Sequence, residues 1–170
     1  EDIQQQAALY SVAEHTRALL FTLNDGALPS NVGGGYNLRV IFRRAEDFIH
    51  QYKWNVQLAE LCKLHAQFLK PLFPELNEHL DDIARIFEVE KTKYDATRQK
   101  AQSLVDSIIR EKITDATLLK LYDSNGISPE LVREEAAKKN VVVKIPENFY
   151  ARVADLHEKQ AQAHETGKAT

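Results

Sequence analysis

Three consecutive glycines, Gly33-Gly34-Gly35, stand directly before a helix-like series that carries Arg39, Arg43 and Arg44. They are half of the six glycines in the chain. Glycine leaves backbone N–H groups unshielded and permits φ > 0, while a helix start presents unpaired N–H groups and the positive end of the helix dipole. A glycine-rich loop feeding a helix is therefore a natural cradle for anions such as phosphate. The same residues also suit an ordinary connection between two helices, and the stretch by itself leaves both readings open. A second polar segment, Asp123-Ser124-Asn125-Gly126, reads as a turn that offers a carboxylate beside an amide.

Spacing argues against other chemistries. The glycine run has no Gly-Lys-Ser/Thr ending and follows no strand, which disfavours both a nucleotide P-loop and a dinucleotide fingerprint. His15, His50, His65, His79, His157 and His164 contain no His-Glu-x-x-His pattern and no companion cysteines, so they are expected to be surface or partly packed residues, with no metal. Asp81 with Asp82 and Glu134 with Glu135 resemble solvated helix faces. Cys62 falls in an apolar helical pattern with Leu58, Leu61 and Phe68 and is expected to be buried. As a lone cysteine it cannot form an internal disulfide, which fits a cytoplasmic location. The residues alone contain no catalytic centre.

The elements that must position these groups read as helices. Apolar residues Leu9, Val12, Ala13, Leu19, Leu20 and Leu23 predict a helix over 1–24 closed by Gly26. A second helix is predicted over 36–52, with Leu38, Ile41, Phe42, Ala45, Phe48, Ile49 and Tyr52 as its apolar side. Arg39 and Arg43 are four residues apart and share a face near the glycines. Asn55 is expected to cap a third helix that the Pro71 to Pro74 segment breaks. From Pro74 to about Glu111, Leu80, Phe87, Tyr94, Ala101 and Ile108 repeat every seven residues, predicting one long helix. Glu90 and Thr97 interrupt its companion apolar row, which favours packing within the domain over a free coiled coil. Short helices follow from Asp115, from Ser128-Pro129 and from Pro146-Glu147-Asn148, and Val141 to Val143 is too isolated to make a sheet. The fold class expected is all-α, with six to seven helices and negligible strand: a helical domain over 1–158 and a polar tail or linker over 159–170.

With 170 residues, 44% hydrophobic and 28% charged, the chain can bury a core. Its formal net charge of -3 excludes a whole-protein basic field, so any nucleic-acid binding must come from a local patch. Its apolar runs are too short for a membrane span. The absence of methionine, even at position 1, suggests a piece of a longer protein.

His15-Thr16-Arg17, Asn24-Asp25-Gly26-Ala27-Leu28-Pro29-Ser30-Asn31, Gly33-Gly34-Gly35-Tyr36-Asn37-Leu38-Arg39 and Arg43-Arg44-Ala45 resemble the block that follows the catalytic core in alanyl-tRNA synthetases. Leu121-Tyr122-Asp123 to Gly126, Ser128-Pro129-Glu130 and Ile145 to Tyr150 fit the same family, so the resemblance spans about residues 8–157. Gly-Gly-Gly-Tyr-Asn resembles the archaeal type. Glu14 departs from the family's usual aspartate before the histidine, which leaves the charge but alters the fine geometry.

The resemblance implies a helical region that binds the acceptor stem of tRNA(Ala) and reads its G·U pair. It places the ATP- and Mg-dependent class II catalytic motifs upstream and a zinc-dependent editing domain downstream, as the region's protein partners. The block itself would then hold no cofactor and be inactive alone. Family residues for base recognition carry over to Asn31 and Asp123, with Arg43 as a supporting contact. A wide, shallow A-form minor groove exposes base edges to short side chains, and a guanine amino group there can donate to Asp123. Gly33, Gly34, Gly35, Arg39, Arg43 and Arg44 would then hold phosphates, adding affinity without sequence information. The competing expectation is a helical scaffold for protein docking that does not recognise RNA.

Overall fold

The computed structural model describes residues 2–166, with side chains over 3–159. It contains seven α-helices among these residues: α1 (Asp2–Asn24), α2 (Gly33–Gln51), α3 (Leu58–Leu69), α4 (Leu80–Ile108), α5 (Asp115–Asn125), α6 (Pro129–Ala137) and α7 (Phe149–Thr166). A 3-10 turn occupies Pro74–Asn77, and the described residues form no strand. The all-α expectation therefore holds. The chain divides between Asp95 and Ala96 into two compact units, so α4 begins in the first and ends in the second.

In the first unit α1 packs against both α2 and α3. Leu19, Leu20, Leu38, Phe42, Leu58, Cys62, Leu76, Ile83 and Phe87 meet in one apolar core. Burial pushes the Cys62 thiol up to about 12, so it stays protonated and packs as a small apolar group. Gly26 closes α1 at φ 93°, as its position predicts. Phe68, in the apolar pattern of Cys62, is 84% exposed, and Leu9 of α1 is also exposed. One local expectation fails. Gln57 rather than Asn55 precedes α3, without a side-chain cap. Leu9 and Phe68 instead line a groove of about 510 Å³ with Val12, Trp54, Leu64 and His65.

In the second unit Ala101, Val105, Leu118, Ile127, Val132, Ala136 and Phe149 form a separate core. Ser128 caps α6 by accepting from the Leu131 N–H at 3.2 Å, with Pro129 as the first helical residue, as expected. Glu134 and Glu135 are not a solvated face: Arg98 donates to Glu134 at 2.8 Å, and buried Glu135 pairs with Lys138 at 2.6 Å. Asp82 does lie at an exposed face, 3.6 Å from Arg85. The polar run expected to fray after Lys159 continues as α7 to Thr166. The last residues of the expected tail, and the side chain of His164, lie outside the described residues. No helix among the described residues is long and apolar enough to cross a membrane.

Candidate nucleic-acid interface

The three glycines are not a loop. They form the first turn of α2, after Val32, which has an extended backbone and supplies no side-chain cap. The N–H groups of that turn have no intrahelical acceptors, and no acidic side chain offsets them. Two of the glycines are required for different reasons. Gly33 takes φ 57°, in the left-handed region. Gly35 is pressed against the preceding segment: a Cβ there would lie 2.6 Å from the Leu28 carbonyl oxygen and would also collide with the Ser30 side chain. The Ser30 N–H donates to the Gly35 carbonyl at 2.9 Å, and the Ser30 hydroxyl donates to the Val32 carbonyl at 3.0 Å. Gly34 meets nothing within 4 Å, and no contact explains it. The tight fold of 28–35 thus places exposed Asn31 beside the start of α2.

Arg39 sits one turn further on and is committed within the fold. Its Nε and Nη2 donate to the two carboxylate oxygens of Glu90, each at 2.9 Å, and its Nη1 donates to Asn31 Oδ1. The Arg39 and Glu90 side chains are only 13% and 4% exposed. Burial by itself raises the Glu90 carboxyl's pKa, but the hydrogen bonds and charges of Arg39 and Lys93 together hold it below its ordinary value. The hydrogen bond to Glu90, working against burial, raises Arg39 further. This planar fork-to-carboxylate pairing leaves Arg39 poorly placed to act as the open phosphate ligand expected from sequence. Tyr94 donates to Asp47 at 2.7 Å and Lys91 lies 3.7 Å from Glu46, which further ties α2 to α4. Burial raises the pKa of Glu46.

Arg43 and Arg44 are half-buried, and each also interacts within the fold. The Arg44 charge reaches His15 of α1, whose pKa is lowered first by burial and then by that charge. His15, Arg39, Arg43 and Arg44 thus all belong to the first unit, as do Asn31 and Gly33 to Gly35.

Asp123 belongs to the second unit. The turn expected at 122–127 is instead the last turn of α5, closed by Gly126 at φ 66°. A carboxylate at a helix C-terminus is disfavoured by the dipole, and a hydrogen-bonding neighbour offsets this. His157 of α7 lies 3.0 Å from Asp123 Oδ1. Tyr122, Phe149 and Tyr150 pack edge to face with centroids 5.2–5.8 Å apart, fixing α7 beside that turn. Asp123 keeps an exposed carboxylate edge.

Glu90 and His157 take part in these sites, although the sequence reading assigned neither a role. Glu90 did leave a signal, as an acid in an apolar row, which is stable only with a buried partner. His157 lies 34 residues from Asp123 with no shared pattern, and only packing brings the two together.

The chain belongs to the class II (A) tRNA synthetases, whose family model matches residues 1–170. It is 43% identical over 156 residues to the alanine-tRNA ligase of Methanocella arvoryzae, covering 91% of this chain and 17% of that protein. It is 39% identical over 163 residues to the alanine-tRNA ligase of Caldivirga maquilingensis, covering 96% and 18%. The alanine-tRNA ligase of Pyrococcus furiosus is 38% identical over 170 residues, covering 96% and 19%. The chain therefore spans less than a fifth of the length of these relatives. The family match also corrects the expected placement: the resemblance put this block after the class II core, whereas the class II model runs across the whole chain.

Proposed function

We propose that this chain is the part of an alanine-tRNA ligase that reads the acceptor stem, with Asn31 and Asp123 addressing base edges in the minor groove. The observation that best supports this is Asn31 itself: an exposed amide held by Arg39 at the open, positive start of a helix. In a G·U pair the uracil shifts toward the major groove, and the guanine amino group loses the partner it has in G·C. An acceptor such as Asp123 then gains roughly 1–3 kcal/mol by meeting it. Phosphate contact falls to the first-turn amides of Gly33, Gly34 and Gly35, with Arg43 and Arg44 behind them. Arg39 moves from phosphate ligand to support for Asn31. Zinc-dependent editing would fall to another region of the parent enzyme, which would use ATP and Mg and work in the cytoplasm on tRNA(Ala).

A docking scaffold without RNA recognition is the second reading, and the exposed apolar groove lined by Leu9, Leu64 and Phe68 favours it. A gel-shift titration separates the two, using acceptor minihelices with G·U or G·C at two salt concentrations. The recognition reading expects about tenfold tighter binding of G·U, weakening with salt by counterion release. Equal binding of the two stems, or no salt dependence, would leave only the scaffold.

A further inference from the structure

We propose that Glu90 is a positioning residue for base recognition, acting through Arg39 to hold the Asn31 amide in one orientation. This rests on the reading of Asn31 as an RNA contact. The geometry is a relay across three segments: the Glu90 carboxylate in α4, the Arg39 guanidinium in α2 and the Asn31 amide before α2. A guanidinium has only donors, so the amide atom that meets it must be the oxygen. Turning the amide over would set its NH2 against Arg39 N–H groups and lose the bond. Glu90 in turn holds the Nε–Nη2 edge of the guanidinium, leaving Nη1 aimed at Asn31. Glu90 is also held by Lys93 Nζ at 3.3 Å, which steadies the base of the relay.

The consequence is chemical polarity. Asn31 presents its two N–H donors outward, so its partner must be an acceptor: a pyrimidine O2, a purine N3 or a ribose oxygen in the minor groove. Asp123, as a carboxylate, only accepts and meets a donor. The two positions are therefore of opposite polarity and cannot exchange roles.

The test measures fluorescence anisotropy of the whole chain with G·U and G·C minihelices at two salt concentrations, with thermal melting of every variant. In E90Q the expected preference for G·U over G·C narrows by about 3–10-fold, on the order of one good base contact. Binding to the G·C stem tightens, because the released guanidinium adds a cation, and the salt slope steepens by about 1. A purely structural role for Glu90 would weaken both stems together and leave the slope unchanged, and that result overturns the inference. N31D, a surface change, should lose the preference as fully as N31A, because it replaces outward donors with acceptors; preference retained in N31D overturns the inference. If E90Q does not fold, R39K decides: it keeps the charge but lacks the third N–H arm, and an unchanged preference there is equally fatal. Preference lost in N31A but intact in E90Q and R39K rejects the relay and keeps the recognition reading. Preference intact in N31A rejects both.

Discussion

Phe42→Ala is expected to lower the unfolding free energy of the first unit by about 3–5 kcal/mol, the range for emptying a fully buried aromatic site. Phe42 is 1% exposed and its ring centroid lies 5.3 Å from that of Phe87 in α4. It lies on the same helix as Arg39, and Phe87 on the same helix as Glu90, with both core residues three positions from their polar partner. Loss of the ring thus loosens the contact between the two helices that the Arg39–Glu90 pair depends on. Urea unfolding followed by circular dichroism measures the loss, and a change below about 1 kcal/mol would mean that this core collapses around the gap.

Gly35→Ala and Gly34→Ala should move stability in opposite directions, although they are adjacent and of the same residue type. A Cβ at 35 meets a backbone carbonyl, that of Leu28 at 2.6 Å, which cannot rotate away as a side chain can. The segment 28–31 must shift, at a cost of about 1–3 kcal/mol, and Asn31 moves with it. RNA preference should fall together with the melting temperature. At 34 nothing lies within 4 Å, so alanine restricts the unfolded chain and stabilises by about 0.5–1 kcal/mol. Equal melting temperatures for the two variants would contradict the packing of 28–35.

The helices were legible because their cores repeat at helical spacing, and the punctuation at Gly26, Pro71 and Ser128-Pro129 is local chemistry. In sequence the glycines resemble a loop for a physical reason. Flexibility and close packing both call for glycine, and only the Leu28 carbonyl over Gly35 separates them. Leu9 and Phe68 share helical spacing with buried residues yet are exposed, because that spacing marks an apolar stripe without marking what covers it. At the site, the sequence pointed to Asn31 and Asp123 through family likeness, and to the arginines through charge. It did not distinguish a cation offered to a ligand from one spent inside the fold, because Glu90 is 51 residues from Arg39. The polar segment of Asp123 resembles a turn in sequence, yet α5 continues through it and stops only where Gly126 turns left-handed.

The most direct test of base recognition removes one atom group from each side. Replacing the guanine of the G·U pair with inosine deletes the minor-groove amino group and leaves the wobble geometry. The unmodified chain should bind the G·U stem about tenfold more tightly than the I·U stem, and Asp123→Ala should bind the two equally. Equal binding by the unmodified chain, or a preference that survives in Asp123→Ala, would contradict the account.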